Sequence, residues 1–366
     1  MGIEQYDANF RTARPDESTG VVWYDVRKPP FSLHGLYDPE TEPVFHRMPF
    51  EAAARVSPGV VGLERRTSGG RVRFSTDSPY IAIRVKSPGF TRFPHMTLAG
   101  TAGFDLYTDD GGNYTFVNIL CPEVSNTSGS FEASLDLSAW NYGPGRHSFT
   151  LNFPLYSAVD ELQIGIRSGC ALGPGRSYRP LPPIVYYGSS ITQGGCASRP
   201  GNAYPAVISR RLDMDFINLG VSGQARGEKE MAEYIATLDM SLFVLDYDHN
   251  TYDQAHLEAT HYPFYETIRA RQPKLPILMV SRPDIPQRNA QVPLRRAAIR
   301  HSYERAIAAG DRHVYHIDGG TLYAGDEWWD CTVDGLHPND LGFRRMADVI
   351  GDKLAEILGI TPVKNR

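Results

Sequence analysis

At 366 residues, 41% hydrophobic and 22% charged, the chain has the composition of a soluble globular protein and is too long for one ordinary core. The 37 basic residues are outnumbered by 42 acidic ones, for a net charge of −5, and no Arg/Lys-rich block or aromatic-plus-basic platform exists, which argues against nucleic acid as a partner. No window approaches the roughly 18 apolar residues of a membrane span, so no membrane partner is expected.

In chain order, the first twenty residues lack the apolar core of a signal peptide. They also fail the myristoylation pattern, because Tyr6 stands where Ser or Thr is needed. For a chain complete at Met1 the expected compartment is the cytoplasm. From about Val21 to Gly169 the rhythm is that of β-structure. "RVRFSTDS" and "YIAIRVKS" alternate in period two, and "GFDLYTDDGGNYTFVNIL" is two alternating runs around Asp-Gly-Gly, a hairpin signal. "SFEASLDL", "RHSFTLNF" and "ELQIGIRSG" continue the series. Many short strands broken by Gly and Pro predict an all-β sandwich or jelly roll over residues 1–175. Asp105, Asp109 and Asp110 lie in the hairpin, where acidic residues mainly favour turns. "CALGPGRSYRPLPP" then makes a boundary that few contacts are expected to cross.

Over residues 176–366 strands and helices alternate. "IVYYG", "FINLG", "SLFVLDY", "PILMVS" and "HVYHID" read as strands. "AYPAVISRRL", "GEKEMAEYIATL", "EATHYPFYETIRARQ", "PLRRAAIRHSYERAIAAG" and "LGFRRMADVIGDKLAEIL" read as helices. Five strands so separated predict an α/β fold with a doubly wound parallel five-stranded sheet, which binds ligands at the carboxyl ends of its strands. The unusual residues sit just there.

In "GSSIT" a serine follows a parallel strand at the start of a helical turn, where its hydroxyl stands exposed near backbone N–H groups. A loop of small residues is the plain alternative. "VDGLHPNDLGF" sets Asp334 three residues before His337, close enough for a turn to bring the side chains together. A hydroxyl needs a base to become a nucleophile, and the base needs an acceptor to fix its tautomer. An ordinary surface turn would use the same residue types. "INLGVSGQARG" and "LDYDHN" end two further strands, and a glycine N–H and the Asn250 amide are suitable donors to an oxyanion. A tight turn and a helix cap are the competing explanations.

Ser, Gly, Asn and Asp-x-x-His, in this order and each at the end of a separate strand, resemble the SGNH hydrolases, or GDSL-type esterases. The resemblance covers residues 184 to about 357. It implies Ser190 as nucleophile, His337 as base and Asp334 as its orienting partner. It also implies an oxyanion hole from the N–H groups of Ser190 and Gly223 and the amide of Asn250. "GFDLY" resembles the Gly-x-Asp-Leu-Tyr signature of a β-domain that precedes one branch of these hydrolases. Related two-domain enzymes remove acetyl groups from carbohydrates. Three departures are present: Ser189 replaces the usual aspartate before the nucleophile, and Asp248 and Thr251 replace the glycine and aspartate around Asn250. A carboxylate at 248 would oppose an oxyanion, so it is expected to point away from it, into the protein or towards a substrate hydroxyl.

Among the remaining candidates, His249 could line the cleft, whereas core or edge positions suit His313 and His316 better, and His261 lies near the third strand. Trp328 and Trp329 could stack on a sugar ring or simply pack their loop. Arg282 could face the cleft or form a surface ion pair. Cys121, Cys170, Cys196 and Cys331 show no CxxC pair and no zinc spacing, so free thiols are expected, with a disulfide as the alternative. No GxGxxG or P-loop pattern occurs, and neither cofactor nor metal is expected. The expectation is a metal-independent serine esterase acting on small acyl esters, acetyl foremost, of an oligosaccharide or other small molecule. The alternatives are a carbohydrate-binding protein with a degenerate site, and a lipase or thioesterase. A homo-oligomer is compatible with the sequence.

Overall fold

The computed structural model of the chain describes residues 3–7, 12–15, 20–138, 140, 145–283 and 290–363. Of the N-terminal stretch read for a targeting signal, residues 1, 2, 8–11 and 16–19 lie outside the described residues.

The first half runs through β1 (Val21–Asp25), β2 (Ser32–His34), α1 (Phe50–Val56), α2 (Pro58–Glu64), β3 (Arg71–Thr76) and β4 (Tyr80–Lys86). It continues with α3 (Leu98–Thr101), β5 (Phe104–Asp110), β6 (Asn113–Leu120), β7 (Ser130–Asp136), β8 (His147–Asn152), β9 (Glu161–Arg167) and β10 (Leu172–Pro174). One antiparallel sheet has the order β1-β9-β4-β7 and the other β10-β3-β8-β5-β6, with β2 paired to β3. The apolar faces of both sheets, with Ile81, Ile83, Phe104, Leu106, Phe149 and Ile164 among them, close on one core as in a sandwich. The predicted hairpin is present: Asp110 pairs with Asn113 across Gly111 and Gly112, both at positive φ, as a two-residue turn of this hand requires.

The helices α1 and α2 depart from the all-β reading. Ser57 accepts the Val60 N–H and Pro58 opens α2, a start signal present in "SPGVV". Their Ala52, Ala53 and Val60 are buried among Val185, Leu219 and Met231 of the second half, so this apolar run packs outward rather than into the sandwich.

The second half holds β11 (Ile184–Gly188), α4 (Ser190–Gln193), α5 (Tyr204–Leu212), β12 (Phe216–Gly220), α6 (Lys229–Ile235) and β13 (Leu242–Asp246). It closes with α7 (Gln254–Arg271), β14 (Ile277–Val280), α8 (Gln291–Ala308), β15 (Val314–Ile317) and α9 (Asp340–Leu358). All pairings are parallel, in the order β12-β11-β13-β14-β15. The chain leaves β11 to one side for β12 and returns to its other side for β13, so the strand order reverses around β11.

The boundary stretch is crossed by many contacts, against expectation. Arg176 donates to Asp109 at 2.9 Å and to Asp213 at 2.7 Å, and Tyr178 accepts from Arg71 at 3.0 Å. Asp105 and Asp109 are fully buried rather than turn residues, and only Asp110 is exposed at the turn. Burying a carboxylate requires paired donors, and these come from across the boundary. Asp105 accepts from Arg199 and from the Gly201 N–H, both at 2.8 Å, and Tyr107 also bonds Arg199. The aspartate and tyrosine of "GFDLY" are thus docking residues. No described helix is long and apolar enough to cross a membrane, and all four cysteines are free.

Candidate active site

Two glycines let the short helix α4 lie directly on the sheet. A Cβ at Gly188 would stand 2.0 Å from Thr192 Oγ1, and one at Gly220 would stand 2.2 Å from the Gln193 nitrogen. Ser189 caps the turn by accepting the Ile191 N–H at 3.1 Å, and Gly194, at φ +107°, ends it. Ser190 therefore heads a helical turn at the carboxyl end of β11, with only 8% of its surface exposed.

The Ser190 hydroxyl lies 2.9 Å from His337 Nε2, and His337 Nδ1 lies 2.8 Å from Asp334 Oδ2. A tight turn holds the last two together. The Val333 N–H donates to the His337 carbonyl at 2.9 Å, and Gly335 takes a φ of +85°. The N–H groups of Leu336 and His337 both donate to Asp334 Oδ1, at 3.0 and 2.7 Å. Burial opposes ionisation of Asp334, but the hydrogen bonds from the His337 ring and these two N–H groups outweigh it and hold the carboxyl at about 2. The negative partner that an imidazolium needs is thus in place.

β12 and β13 flank β11 with Gly220 and Asp246 level with Gly188, so the loops carrying Gly223 and Asn250 leave the sheet beside Ser190. Gly223 has a φ of +71°, which favours glycine there. The N–H groups of Ser190 and Gly223 and the side chain of Asn250 make no hydrogen bond among the described residues. Asp248 is fully buried and turned into the protein, where it accepts the Arg282 N–H at 3.1 Å. Arg295 of α8 donates to Thr251 Oγ1 at 2.7 Å and to the Asp248 carbonyl, bracing the loop that departs from the family pattern. Nothing in the sequence singled out Arg295.

The other candidates separate. His249 is half-buried; desolvation first, then Arg282, His337 and Arg295, push its ring well below 6.5, so it is neutral. Arg282 is buried just after β14 rather than at the surface, and its carbonyl accepts from Arg296. Trp328 packs on the core beneath α9, while Trp329, 57% exposed, presents its ring beside it at a centroid distance of 5.7 Å. His261 is stacked on Tyr247 in the interior, and His316 stacks on Tyr303. The His313 carbonyl accepts from Arg269. None of these three approaches Ser190 through a hydrogen bond or ring contact.

The sandwich also reaches the site, which the sequence left open. The Tyr156 hydroxyl donates to the Ser190 carbonyl at 3.3 Å. His95 stands with its ring centroid 5.8 Å from that of His337, and Phe93 packs edge-on against Tyr156. Arg47, buried, caps the end of β12 by donating to the carbonyls of Asn218 and Gly220. Ser68 donates to the Gln193 carbonyl at 2.5 Å.

Comparison with known proteins gives two family matches, to the GDSL-like Lipase/Acylhydrolase family over residues 182–355 and to the N-terminus of SGNH-hydrolase-type esterases over residues 21–172. A Bacteroides ovatus protein named only as a GDSL-like lipase shares 30% identity over 94% of this chain and 100% of its own, with a TM-score of 0.83. The salicylyl-acyltransferase of a tetracycline biosynthetic pathway is 22% identical over 94% of this chain and 99% of its own, at TM-score 0.72. A family two carbohydrate esterase from Clostridium thermocellum, solved as an active-site mutant, is 15% identical over 91% and 99%, at TM-score 0.61. No curated protein matches the chain.

Proposed function

The chain belongs to the GDSL-like lipase/acylhydrolase family of carboxylic ester hydrolases, and on that premise we propose that it removes short acyl groups, acetyl foremost, from carbohydrate esters. The observation that carries the reading is the continuous hydrogen-bonded chain from Ser190 through His337 to Asp334.

Ser190 Oγ attacks the ester carbonyl while His337 Nε2 takes its proton, and Asp334 holds the imidazole and offsets its charge. The oxyanion is held by the N–H groups of Ser190 and Gly223 and the Asn250 amide, all of them without an acceptor among the described residues. His337 returns the proton to the leaving alkoxide, then deprotonates the water that releases the acyl group. The low exposure of Ser190, with Tyr156 bonded to its carbonyl and His95 beside His337, favours a small acyl group over a long chain. Trp329 supplies an exposed ring for a sugar, on a turn joined to the His337 loop where Asn339 donates to the Asp330 carbonyl at 2.5 Å. The carbohydrate esterase that shares the fold supports a sugar substrate.

The test is hydrolysis of p-nitrophenyl acetate, butyrate and octanoate by wild type and Ser190→Ala, with chelator present. Activity should fall with chain length and drop by roughly 10⁴-fold or more in Ser190→Ala. Equal activity in the variant would remove Ser190 from the mechanism. A wild type inert on every ester that still binds sugar would favour the binding-protein alternative.

A further inference from the structure

His337 has two neighbours that take no part in the proposed proton transfers. Cys196 and His95 each offer a ligand atom, and these two atoms and one from His337 all lie within 4.8 Å of one another. They come from separate elements: His95 from an exposed loop of the sandwich, Cys196 from the segment after α4, His337 from the turn before α9. Their convergence needs an unusual backbone. Gly195 passes so close to the imidazole that a Cβ would stand 3.2 Å from His337 Cδ2 and 3.0 Å from the Ser190 carbonyl oxygen. Cys196 itself takes a φ of +73°, a conformation that side-chain-bearing residues rarely adopt. The chain is thus held in a strained form that sets a buried thiol beside the imidazole.

We propose that His95, Cys196 and His337 form an inhibitory site for a thiophilic divalent cation of the zinc type. One thiolate and two imidazoles suit zinc, which binds them at about 2.3 and 2.0–2.1 Å. Around a tetrahedral ion such ligands stand about 3.4–3.6 Å apart, so rotations of the exposed His95 and small shifts of the others, on the order of 1 Å, close the cluster. The fourth position stays open to water. Binding is coordination only: the Cys196 thiol releases its proton to solvent, and the imidazoles give lone pairs. With a ring nitrogen of His337 on the metal, that imidazole no longer serves as the base for Ser190. The inhibitory half of the proposal rests on the esterase reading, whereas the metal-binding half does not.

The experiment uses tag-free full-length protein stripped by chelator: wild type, Ser190→Ala, Cys196→Ser and His95→Ala. Binding is measured by equilibrium dialysis against zinc chloride alone. Cobalt chloride is added in parallel to look for a thiolate-to-metal charge-transfer band. Wild type and Ser190→Ala should each take up one zinc per chain, and Cys196→Ser and His95→Ala should bind at least roughly tenfold more weakly. The cobalt band should appear in wild type and be absent from Cys196→Ser. Hydrolysis of p-nitrophenyl acetate should fall as the site fills, return on chelation, and resist zinc in Cys196→Ser, whose basal rate matches wild type. Absent zinc uptake, equal affinity in Cys196→Ser, or a filled site with undiminished hydrolysis would each overturn the proposal. A wild type that hydrolyses nothing would sink the esterase reading and the inhibition with it, while dialysis and cobalt absorption still decide the metal site.

Discussion

Asp105 of the sandwich accepts hydrogen bonds from the Arg199 guanidinium and the Gly201 N–H of the α/β half, both at 2.8 Å, with no exposure of its own. Asn152 fills its other oxygen at 2.8 Å. This carboxylate joins the two halves a few residues beyond α4, so its loss is felt as stability first. Asp105→Ala should cost about 3–5 kcal/mol, because Arg199 loses its buried partner. Urea unfolding checks it; a cost below about 1 kcal/mol would mean that the halves dock without this pair.

Asp334 bonds the His337 ring at 2.8 Å, on the side away from Ser190, and in the proposed mechanism it orients that ring. Asp334→Asn should keep the fold and lower kcat by roughly 10²- to 10⁴-fold, because an amide no longer enforces the tautomer or balances the imidazolium. The wild-type carboxyl titrates at about 2, below its ordinary 3.8. A depressed folded-state value means that its contribution to stability is present above pH 3.8 and is lost as pH falls towards about 2. Acid unfolding of Asp334→Asn should lack that part of the transition, and an unchanged acid profile would contradict it.

Asn250 differs from Gly223 in what truncation removes. Asn250→Ala should lower kcat by roughly 10²- to 10³-fold with little change in KM, as expected for a donor used mainly in the transition state. A rise in KM at unchanged kcat would assign the amide to substrate binding instead.

Trp329 should matter only for a substrate that carries a sugar. Trp329→Ala is expected to raise KM several-fold for acetylated oligosaccharides and to leave p-nitrophenyl acetate hydrolysis unchanged. The stacked contact is worth about 0.5–1.5 kcal/mol on the scale of aromatic pairs. Equal effects on both esters would place the ring in general packing.

Asp246 lies under the site, where its Oδ2 accepts the hydroxyls of Thr192 at 3.2 Å and Tyr204 at 3.1 Å. Burial, then the charge of Asp248, hold its carboxyl well above 3.8. A raised folded-state value stabilises the fold below the unfolded pKa, and that stability is lost as pH rises through the folded value. Asp246→Asn keeps an acceptor for both hydroxyls and escapes this loss. Its melting temperature relative to wild type should therefore climb as pH rises from about 4. A variant that loses ground with rising pH would show that the ionised form is needed.

The sequence by itself determined the two rhythms of this chain, period two and then strand–helix alternation, because both arise from local side-chain spacing. It also determined the Asp334–His337 pairing, since three residues of separation within a turn leave little freedom. The order of four motifs at strand ends pointed to one site, because parallel strands deliver their carboxyl ends to one edge. Tertiary structure alone decided which remote groups meet there. Nothing in "GFTRFPHM" marks His95 as a neighbour of His337, and nothing in "EAAARV" shows that Ala52 and Ala53 leave the sandwich to pack on the other half. Likewise Asp105 and Asp109 carry turn chemistry in the chain, yet are buried ion-pair partners in the fold. Such contacts span dozens of residues, so they are settled by how the two halves dock and by the requirement that every buried charge find a partner.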